Sequence, residues 1–167
     1  MPLKEIPYKE DVDAALALKT NLSLFNSYIQ GLAAGNWQTR VSAADNNWVS
    51  VAWSPTLGLF CAVATSGVGN RVMTSPDGIN WTIRVSAADN TWYSVAWSPT
   101  LGLFCAVAYS GVGNRVMTSP DGINWTIRVS AADNSWNSVA WSPTLGLFCA
   151  VAYSGVGNRV MTNLFLL

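Results

Sequence analysis

A unit of 44 residues occurs three times in this chain with almost no change. Trp37, Trp81 and Trp125 stand at the second position of the three copies, and the first two copies are identical at 39 of 44 positions. The second and third copies are identical at 37 of the 39 positions that they share up to Thr162. Repeats of this length are typical of propellers, solenoids and arrays, in which neighbouring units bury one another's apolar faces. We therefore divide the 167-residue chain into a leader and helix, 1–35, and three repeat units, 36–79, 80–123 and 124–167.

Each copy predicts four short β-strands separated by turns. In the second copy we expect strands at 81–85, 92–98, 103–109 and 115–118, with turns at SAADN, SPTLG, SGVGN and SPDG. The strands are rich in Val, Ala, Trp and Phe with little alternation, which indicates burial on both faces. Four strands in a unit of about 40–45 residues are typical of a propeller blade. The predicted fold class is all-β: a β-propeller with three four-stranded blades per chain and an N-terminal α-helix.

The helix is predicted over residues 10–32, with Gly35 as a stop. Apolar residues alternate along it at spacings of three and four: Ala15, Leu18, Leu22, Phe25, Ile29 and Leu32. This seam fits a short coiled coil and equally well a helix laid against the blades. In both arrangements Leu18, Leu22, Phe25 and Ile29 are expected to be buried.

The composition argues against several classes of function. The chain is 50% apolar and 11% charged with a net charge of zero, so it offers no basic stripe for nucleic acid or an anionic membrane surface. No segment is apolar for long enough to predict a membrane span, and the N-terminus lacks the pattern of a signal peptide. Cys61, Cys105 and Cys149 repeat within LFCAVA and are expected to be small buried apolar residues, made in a reducing compartment.

The residue types needed for most catalytic chemistry are missing from the repeats. The chain has no His, which excludes His-based acid–base catalysis and His metal sites. Glu5 and Glu10 both lie in the leader, and the Asp residues of the repeats stand in turn sequences, where carboxylates usually cap backbone amides. We expect the repeated Arg residues to form Arg–Asp bridges between neighbouring blades. The sequence therefore predicts no enzymatic activity, no cofactor and no metal.

The turn that ends the first two copies resembles the Asp-box of sialidase-type propellers. It reads SPDGINW in both copies, at 75–81 and at 119–125, with no residue between Asp and Gly where the family pattern has one. The resemblance implies that Asp77 and Asp121 cap the amides of the turn and that Trp81 and Trp125 pack between strands. Sialidase chemistry itself, which in that family uses an Arg cluster and a Tyr–Glu pair near the axis, is not expected, because the repeats contain no Glu.

The leader carries a second resemblance. Its segment DVDAALALKTNL, residues 11–22, looks like the short ALALK-type segments of phage tail-fibre proteins, and near-identical low-charge repeats are also similar to phage fibre and tip proteins. The resemblance implies a virion protein that is made in the cytoplasm without a signal peptide and released by lysis. Together with the repeats, it predicts a non-enzymatic propeller module that recognises a surface glycan. A purely structural virion or scaffold protein is the first alternative, and a glycan-active enzyme is the second.

Three blades are too few to close a propeller, which typically has about four to eight. The copies also start and end out of phase, because residues 37–41 match an outer strand while the sequence stops before the outer strand of the third copy. We therefore expect residues 37–41 of one subunit to complete the last blade of the next. A dimer would then have six blades and a trimer nine. Blade-number statistics favour the dimer, whereas the helix seam and the fibre resemblance favour the trimer, which is the preferred prediction.

The few differences between copies suggest where a ligand binds. Two of them, at residues 38 and 39, set only the first copy apart; the others lie beside SAADN or SGVGN, turns that an up-and-down blade places on one face of the ring. A Val-to-Tyr-to-Asn series is hard to fit in a close-packed core but easy at an exposed position. Neutral drift and a recognition face both explain the pattern; the second predicts ligand-binding residues, with sugar stacking by the Tyr rings, at Asn47, Val49, Thr91, Tyr93, Tyr109, Ser135, Asn137 and Tyr153.

Overall fold

The computed structural model describes residues 8–35 and 37–163, which fall into two compact units that divide after Thr39. The first unit contains a single α-helix, α1, from Tyr8 to Gly35. It extends the predicted range by two or three residues at each end and stops at the predicted glycine. No described helix has the length and apolar character needed to cross a lipid bilayer.

The apolar seam of α1 is open to solvent in a single copy of the chain. Leu18, Leu22, Phe25 and Ile29 are all exposed, as are their neighbours Leu16 and Leu24. The expectation that these side chains are buried is therefore not met within one chain. Burial among the helices of several copies stays a prediction.

The second unit consists of eleven short strands in three antiparallel sheets. The first sheet contains β1 (Trp48–Ser54), β2 (Leu59–Ala64), β3 (Val72–Ser75) and β4 (Thr82–Arg84). The second contains β5 (Trp92–Ser98), β6 (Leu103–Ala108), β7 (Val116–Ser119) and β8 (Thr126–Arg128). The third contains β9 (Trp136–Ser142), β10 (Leu147–Ala152) and β11 (Val160–Thr162). Strands that follow one another in the sequence are neighbours in each sheet. The strand boundaries predicted for the second copy are correct to within one residue, but the first strand expected in the first copy, at 37–41, is not formed.

Each four-stranded sheet crosses the boundary between two copies of the repeat. The strand that follows the SPDG turn pairs with the last strand of the preceding copy, so that Met73 lies opposite Ile83 and Met117 lies opposite Ile127. The third sheet has three strands in the described residues, and β11 forms its outer edge. The phase shift expected from the sequence is therefore present in the structure.

The three sheets stack face to face through side chains that alternate along their strands. Cys61 and Val63 of the first sheet pack in one cluster with Phe104 and Ala106 of the second. Cys105 and Val107, one residue further along that same strand, pack instead with the third sheet. Because side chains point alternately to the two faces of a strand, the middle strand of the second sheet is buried on both sides. This arrangement explains the apolar LFCAVA run.

Polar contacts tie the neighbouring sheets at two levels. At the innermost strands, the Val95 amide donates to Ser50 Oγ and the Val139 amide donates to Ser94 Oγ, both at 3.1 Å. At the loops, Asp89 Oδ1 accepts from the Gly69 amide at 2.6 Å and lies 3.8 Å from Arg71 Nε. The second interface repeats this ion pair between Arg115 and Asp133 at 3.6 Å. The predicted Arg–Asp bridges between blades are therefore found for Arg71 and Arg115. The other class of repeated Arg departs from the prediction, because Arg84 and Arg128 donate to Thr74 and Thr118 of their own sheets.

The first and third sheets each have one outer face that no other sheet covers. Apolar residues on these faces are exposed, although their equivalents at the inner interfaces are buried. Val95 on the second sheet is 5% exposed, whereas its equivalent Val51 on the first sheet is 58% exposed. At the other end, Val107 is 1% exposed and its equivalent Val151 is 44% exposed. Residues of the same type at the same position thus differ only in whether a neighbouring sheet covers them.

The SPDG turns are closed by their Asp side chains. Asp77 Oδ1 accepts from the amides of Ile79 and Asn80, both at 2.8 Å, and these bonds hold the pKa of Asp77 well below its usual range. Asp121 makes the equivalent bonds to Ile123 and Asn124 at 2.8 and 2.7 Å. The carboxylates therefore cap the turns, while membership of the Asp-box family stays a prediction.

We expect Asp121→Asn to lower the free energy of unfolding by about 1–2 kcal/mol near neutral pH, because it weakens charge-assisted hydrogen bonds. Partial burial raises the pKa of Asp121, but the bonds from Asn124, Ile123 and Ser119 outweigh it and lower the pKa to about 2. A depressed folded-state pKa stabilises the fold above the unfolded value of 3.8 and loses that contribution as the pH falls towards 2. Urea unfolding across this range should show a flatter pH dependence for Asp121→Asn than for the exposed helix control Asp13→Asn. Equal pH dependence in the two variants would contradict the capping role.

Candidate ligand-binding face

The SAADN and SGVGN loops meet at one end of each sheet. Asn46 Nδ2 of the first loop donates to the carbonyl of Asn70 in the second at 2.9 Å, and Asn90 donates to the carbonyl of Asn114 at 2.8 Å. The third sheet repeats the bond between Asn134 and the carbonyl of Asn158 at 2.7 Å. These bonds confirm that the two loop types share an end, as the sequence predicted.

The SGVGN loop has a backbone shape that excludes most side chains. Gly67 has a φ of +104°, and a Cβ at this position would lie 2.6 Å from Asn46 Nδ2. Arg71 Nε donates to the carbonyl of the same glycine at 2.8 Å. A residue with a side chain would be strained here and would also displace the asparagine. The loop pair is therefore a rigid support for the positions beside it.

The differences between copies gather into one cluster per sheet at this end. The amide of Thr65 donates to the carbonyl of Asn47 at 3.0 Å, and the amide of Tyr109 donates to that of Thr91 at 2.8 Å. The amide of Tyr153 repeats the bond to the Ser135 carbonyl at 2.9 Å. We define the variable face as these three clusters: residues 47, 49 and 65, residues 91, 93 and 109, and residues 135, 137 and 153.

The second cluster presents two tyrosines that touch each other. The rings of Tyr93 and Tyr109 have centroids 5.6 Å apart and are inclined by 39°. Tyr93 is 39% exposed and Tyr109 is 40% exposed, so the pair offers aromatic surface to solvent. Sequence comparison of the copies identified both residues but not their contact, which pairs residues 16 positions apart across two strands.

Some of the remaining predicted ligand-binding residues are exposed, and others form hydrogen bonds within the protein. Asn47, Val49, Asn137 and Tyr153 are exposed. Ser135 is buried, and its Oγ accepts from Ser154 Oγ at 3.1 Å, which corrects the expectation that this position is exposed. Ser135 lies immediately before β9, and its amide donates to the same Ser154 Oγ at 2.8 Å.

Thr91, the equivalent of Ser135, is half-buried, and its hydroxyl accepts from Ser110 Oγ at 3.1 Å. Both side chains are therefore used within the protein. A ligand at this face would meet Tyr93, Tyr109 and Tyr153 before it met either hydroxyl.

The conserved tryptophans beside the variable positions are structural. Trp92 and Trp136 are fully buried at the two sheet interfaces, and each donates its indole N–H to an alanine carbonyl, Ala88 at 3.0 Å and Ala132 at 2.9 Å. Both rings belong to the apolar clusters that join neighbouring sheets, so they are not available to a ligand.

Two of the three repeated cysteines, Cys61 and Cys105, belong to the apolar clusters between the sheets. Burial raises the pKa of Cys61 well above its usual range and that of Cys105 to about 12, so both thiols stay protonated at neutral pH. Both are buried as predicted, whereas Cys149, on the uncovered side of the third sheet, is only half-buried. Within residues 8–35 and 37–163, no three His, Cys, Asp or Glu side chains are grouped closely enough to bind a metal ion. The geometry of the variable face suits binding by contact and hydrogen bonding.

No protein family and no curated protein matches this chain. Among solved structures, it is similar to YCF48 bound to D1 peptide, with a TM-score of 0.52 and 17% sequence identity. The similarity covers 72% of this chain but only 38% of that chain. At this level of identity the comparison shows the fold alone, which is that of propeller-type repeats of antiparallel sheets.

Neighbouring residues at the variable face should respond very differently to truncation. Trp92→Ala removes a fully buried ring and should lower the free energy of unfolding by about 3–5 kcal/mol. Tyr93→Ala removes a ring that is 39% exposed and packs mainly on Tyr109, so the loss should be about 1 kcal/mol. Urea unfolding of the two variants measures the difference. Losses of equal size would show that Tyr93 is part of the core and is not available to a ligand.

Proposed function

We propose that this chain is a non-enzymatic, oligomeric β-propeller module that binds a surface glycan through the variable face. The observation that carries the proposal is the distribution of the differences between copies. The sheets and their interfaces are almost identical in sequence, whereas the three clusters of the variable face present Val49 with Thr65, Tyr93 with Tyr109, and Asn137 with Tyr153. A common scaffold with different exposed pairs is what a multivalent binding surface requires.

The chemistry of the variable face favours a carbohydrate. Tyr93, Tyr109 and Tyr153 offer aromatic rings on which a sugar can stack and hydroxyls that can hydrogen-bond to it. Asn47 and Asn137 add amide donors and acceptors beside the rings. The net charge of zero gives no reason to expect a strongly charged ligand.

The biological setting that we propose is a phage fibre or tip protein, located on the virion. It rests on the ALALK-type segment, residues 11–22, which lies within α1, and on the near-identical repeats. A purely structural virion or scaffold protein would use the same ring without any ligand, and a glycan-active enzyme would need a catalytic pair that the described residues do not display. Binding and hydrolysis measurements separate these alternatives.

The two outer faces of the array support closure by further copies of the same chain. They have the same sequence as the faces that pair inside the chain, and they expose the apolar residues that those interfaces bury. Val51 and Ser138 occupy the donor and acceptor positions of the bond that joins Val95 to Ser50. Asp45 and Arg159 are likewise equivalent to Asp89 and Arg71, the bridging pair. Copies joined head to tail would repeat both of these internal contacts.

A closed ring of these sheets could contain two or three copies of the chain. Two copies would supply six sheets, within the usual range of about four to eight blades, and three copies would supply nine. We prefer the trimer, because the exposed apolar seam of α1 could be buried among the helices of several copies and because a fibre is the proposed setting. In a cyclic dimer or trimer, each outer face of one copy would be covered by an outer face of the next.

The glycan proposal predicts that replacing Tyr93, Tyr109 and Tyr153 together by Ala weakens binding to an array of bacterial surface oligosaccharides by at least about tenfold. The control is the double variant Ile79→Ala and Ile123→Ala, which removes exposed apolar side chains from the SPDG turns at the other end of the sheets. Both variants should keep the wild-type solution mass. Unchanged binding of the tyrosine variant would contradict the assignment of the face, and binding to peptides but to no oligosaccharide would contradict the glycan.

The closure proposal predicts a solution mass that is a multiple of the 17.9 kDa chain. Val51→Glu places a charge on a face whose internal equivalent is 5% exposed, and it should shift the mass towards that of a single chain. The control Val68→Glu adds the same charge at an exposed loop tip and should leave the mass unchanged. Light scattering coupled to size exclusion measures all three. A wild-type protein with the mass of one chain would contradict closure.

A further inference from the structure

A cavity of about 470 Å³ lies between the second and third sheets, near their outer strands. Leu103, Val116 and Thr118 line it from the second sheet, and Phe148 and Met161 line it from the third. The lining is mostly apolar, and the cavity borders β11, the outer edge of the third sheet. Among the described residues, no strand pairs with the outer edge of β11. An apolar space of this size beside such an edge has room for a further strand and an apolar side chain.

The equivalent space between the first and second sheets is filled by the protein itself. There, Trp125 and Ile127 pack on the interface cluster, and the Trp125 ring has its centroid 6.4 Å from that of Phe104. The turn at Gly122 lies against Leu59 and Thr74, whose equivalents Leu103 and Thr118 line the cavity. The cavity therefore lies where the third sheet would have its fourth strand, the equivalent of β8 in the second sheet. The tryptophan that precedes such a strand would fill the cavity.

This chain carries one segment that has the required sequence and no partner in its own sheets. Residues 37–41 read WQTRV, where the strand-forming segments read WTIRV at 81–85 and 125–129. The structure places no strand at 37–41, and Trp37 is 93% exposed. An exposed tryptophan next to a β-competent segment is costly to leave in water.

We infer that residues 37–41 of a second copy add to β11 as the fourth strand of the third sheet and insert Trp37 into the cavity. The inference rests on the proposed closure by copies of the same chain and identifies the group that anchors it. The Trp37 ring would pack on Phe148, as Trp125 packs on Phe104. Strand addition supplies main-chain hydrogen bonds, and the buried tryptophan supplies most of the affinity.

The register of the added strand follows from the two complete sheets. Val72 lies opposite Arg84, Met73 opposite Ile83, and Thr74 opposite Thr82. By equivalence, Arg40 of the second copy lies opposite Val160, Thr39 opposite Met161, and Gln38 opposite Thr162. Arg84 Nε also donates to Thr74 Oγ1 at 2.9 Å, so Arg40 should donate to Thr162 Oγ1.

Trp37→Ala in the full-length chain tests the anchor. Loss of a central buried tryptophan should weaken the association of copies roughly 30-fold or more per interface, measured by the dependence of solution mass on protein concentration. The control Val112→Ala trims an exposed loop tip of the second sheet and should leave the association unchanged. Because Trp37 is exposed in a single chain, both variants should unfold at the same denaturant concentration when diluted to single chains.

Paired cysteines test the register without disturbing the fold. Directly opposed residues on antiparallel strands have Cα atoms about 4.5–5.5 Å apart, which suits a disulfide. Thr39→Cys combined with Met161→Cys should therefore form covalent oligomers on oxidation. Thr39→Cys combined with Thr162→Cys moves the partner to the opposite face of the strand and should not, and neither should the single variants.

The outcomes separate this inference from closure itself. Weakened association of Trp37→Ala together with crosslinking of the Thr39–Met161 pair alone supports it. An assembled wild type whose association is unaffected by Trp37→Ala, or which crosslinks both cysteine pairs equally, overturns the inference and leaves closure standing. A wild type that remains a single chain overturns both.

Discussion

Burial of the apolar faces of neighbouring sheets against one another is the interaction on which this structure depends. The middle strand of each repeat is LFCAVA, and its side chains alternate between two interfaces, so that Phe104 and Ala106 pack towards the first sheet while Cys105 and Val107 pack towards the third. Burying a valine stabilises a fold by about 1.5–3 kcal/mol relative to leaving it in water. A sheet with one uncovered face loses several such contributions at once. The array is therefore stable in its middle and incomplete at both ends, where Val51 and Val151 are exposed.

Polar bonds determine how the apolar faces align. Ser50 and Ser94 receive main-chain amides of the next sheet, and Asp89 and Asp133 reach back to glycine amides of the preceding sheet. These contacts have little freedom, because each pairs a short side chain with a backbone group. They repeat with the same geometry at both interfaces, so a third or fourth interface of the same kind needs no new chemistry. This repetition is the physical reason to regard the outer faces as complementary.

Burial between the sheets also determines which positions are the same in the three copies and which differ. Most positions that contribute to the interfaces are identical in all three copies, with residue 39 as an exception (Ile in the other two copies), and most other changes lie at the end of each sheet where the SAADN and SGVGN loops meet. Tyr93 and Tyr109 contact each other at that end, whereas the adjacent Trp92 is fully buried in the interface cluster. A surface of this kind can vary at small cost in stability, which is the reason that we propose it as the recognition face.

The sequence alone determined the number of strands per repeat, their order, the helix and its stop at Gly35, and the side of each sheet on which the copies differ. These features follow from local patterns: the turn residues, the apolar runs and the 44-residue period. It did not determine that Ser135 is buried, that Tyr93 contacts Tyr109, or that a cavity separates the second and third sheets. These depend on which strands lie opposite one another and on which space a missing strand leaves, and both are set by contacts between residues far apart in the chain. Tertiary structure decided them because the exposure of a side chain depends on its neighbours. Val51, Val95 and Val139 occupy the same position in three copies of the repeat, yet Val51 is exposed and the other two are buried.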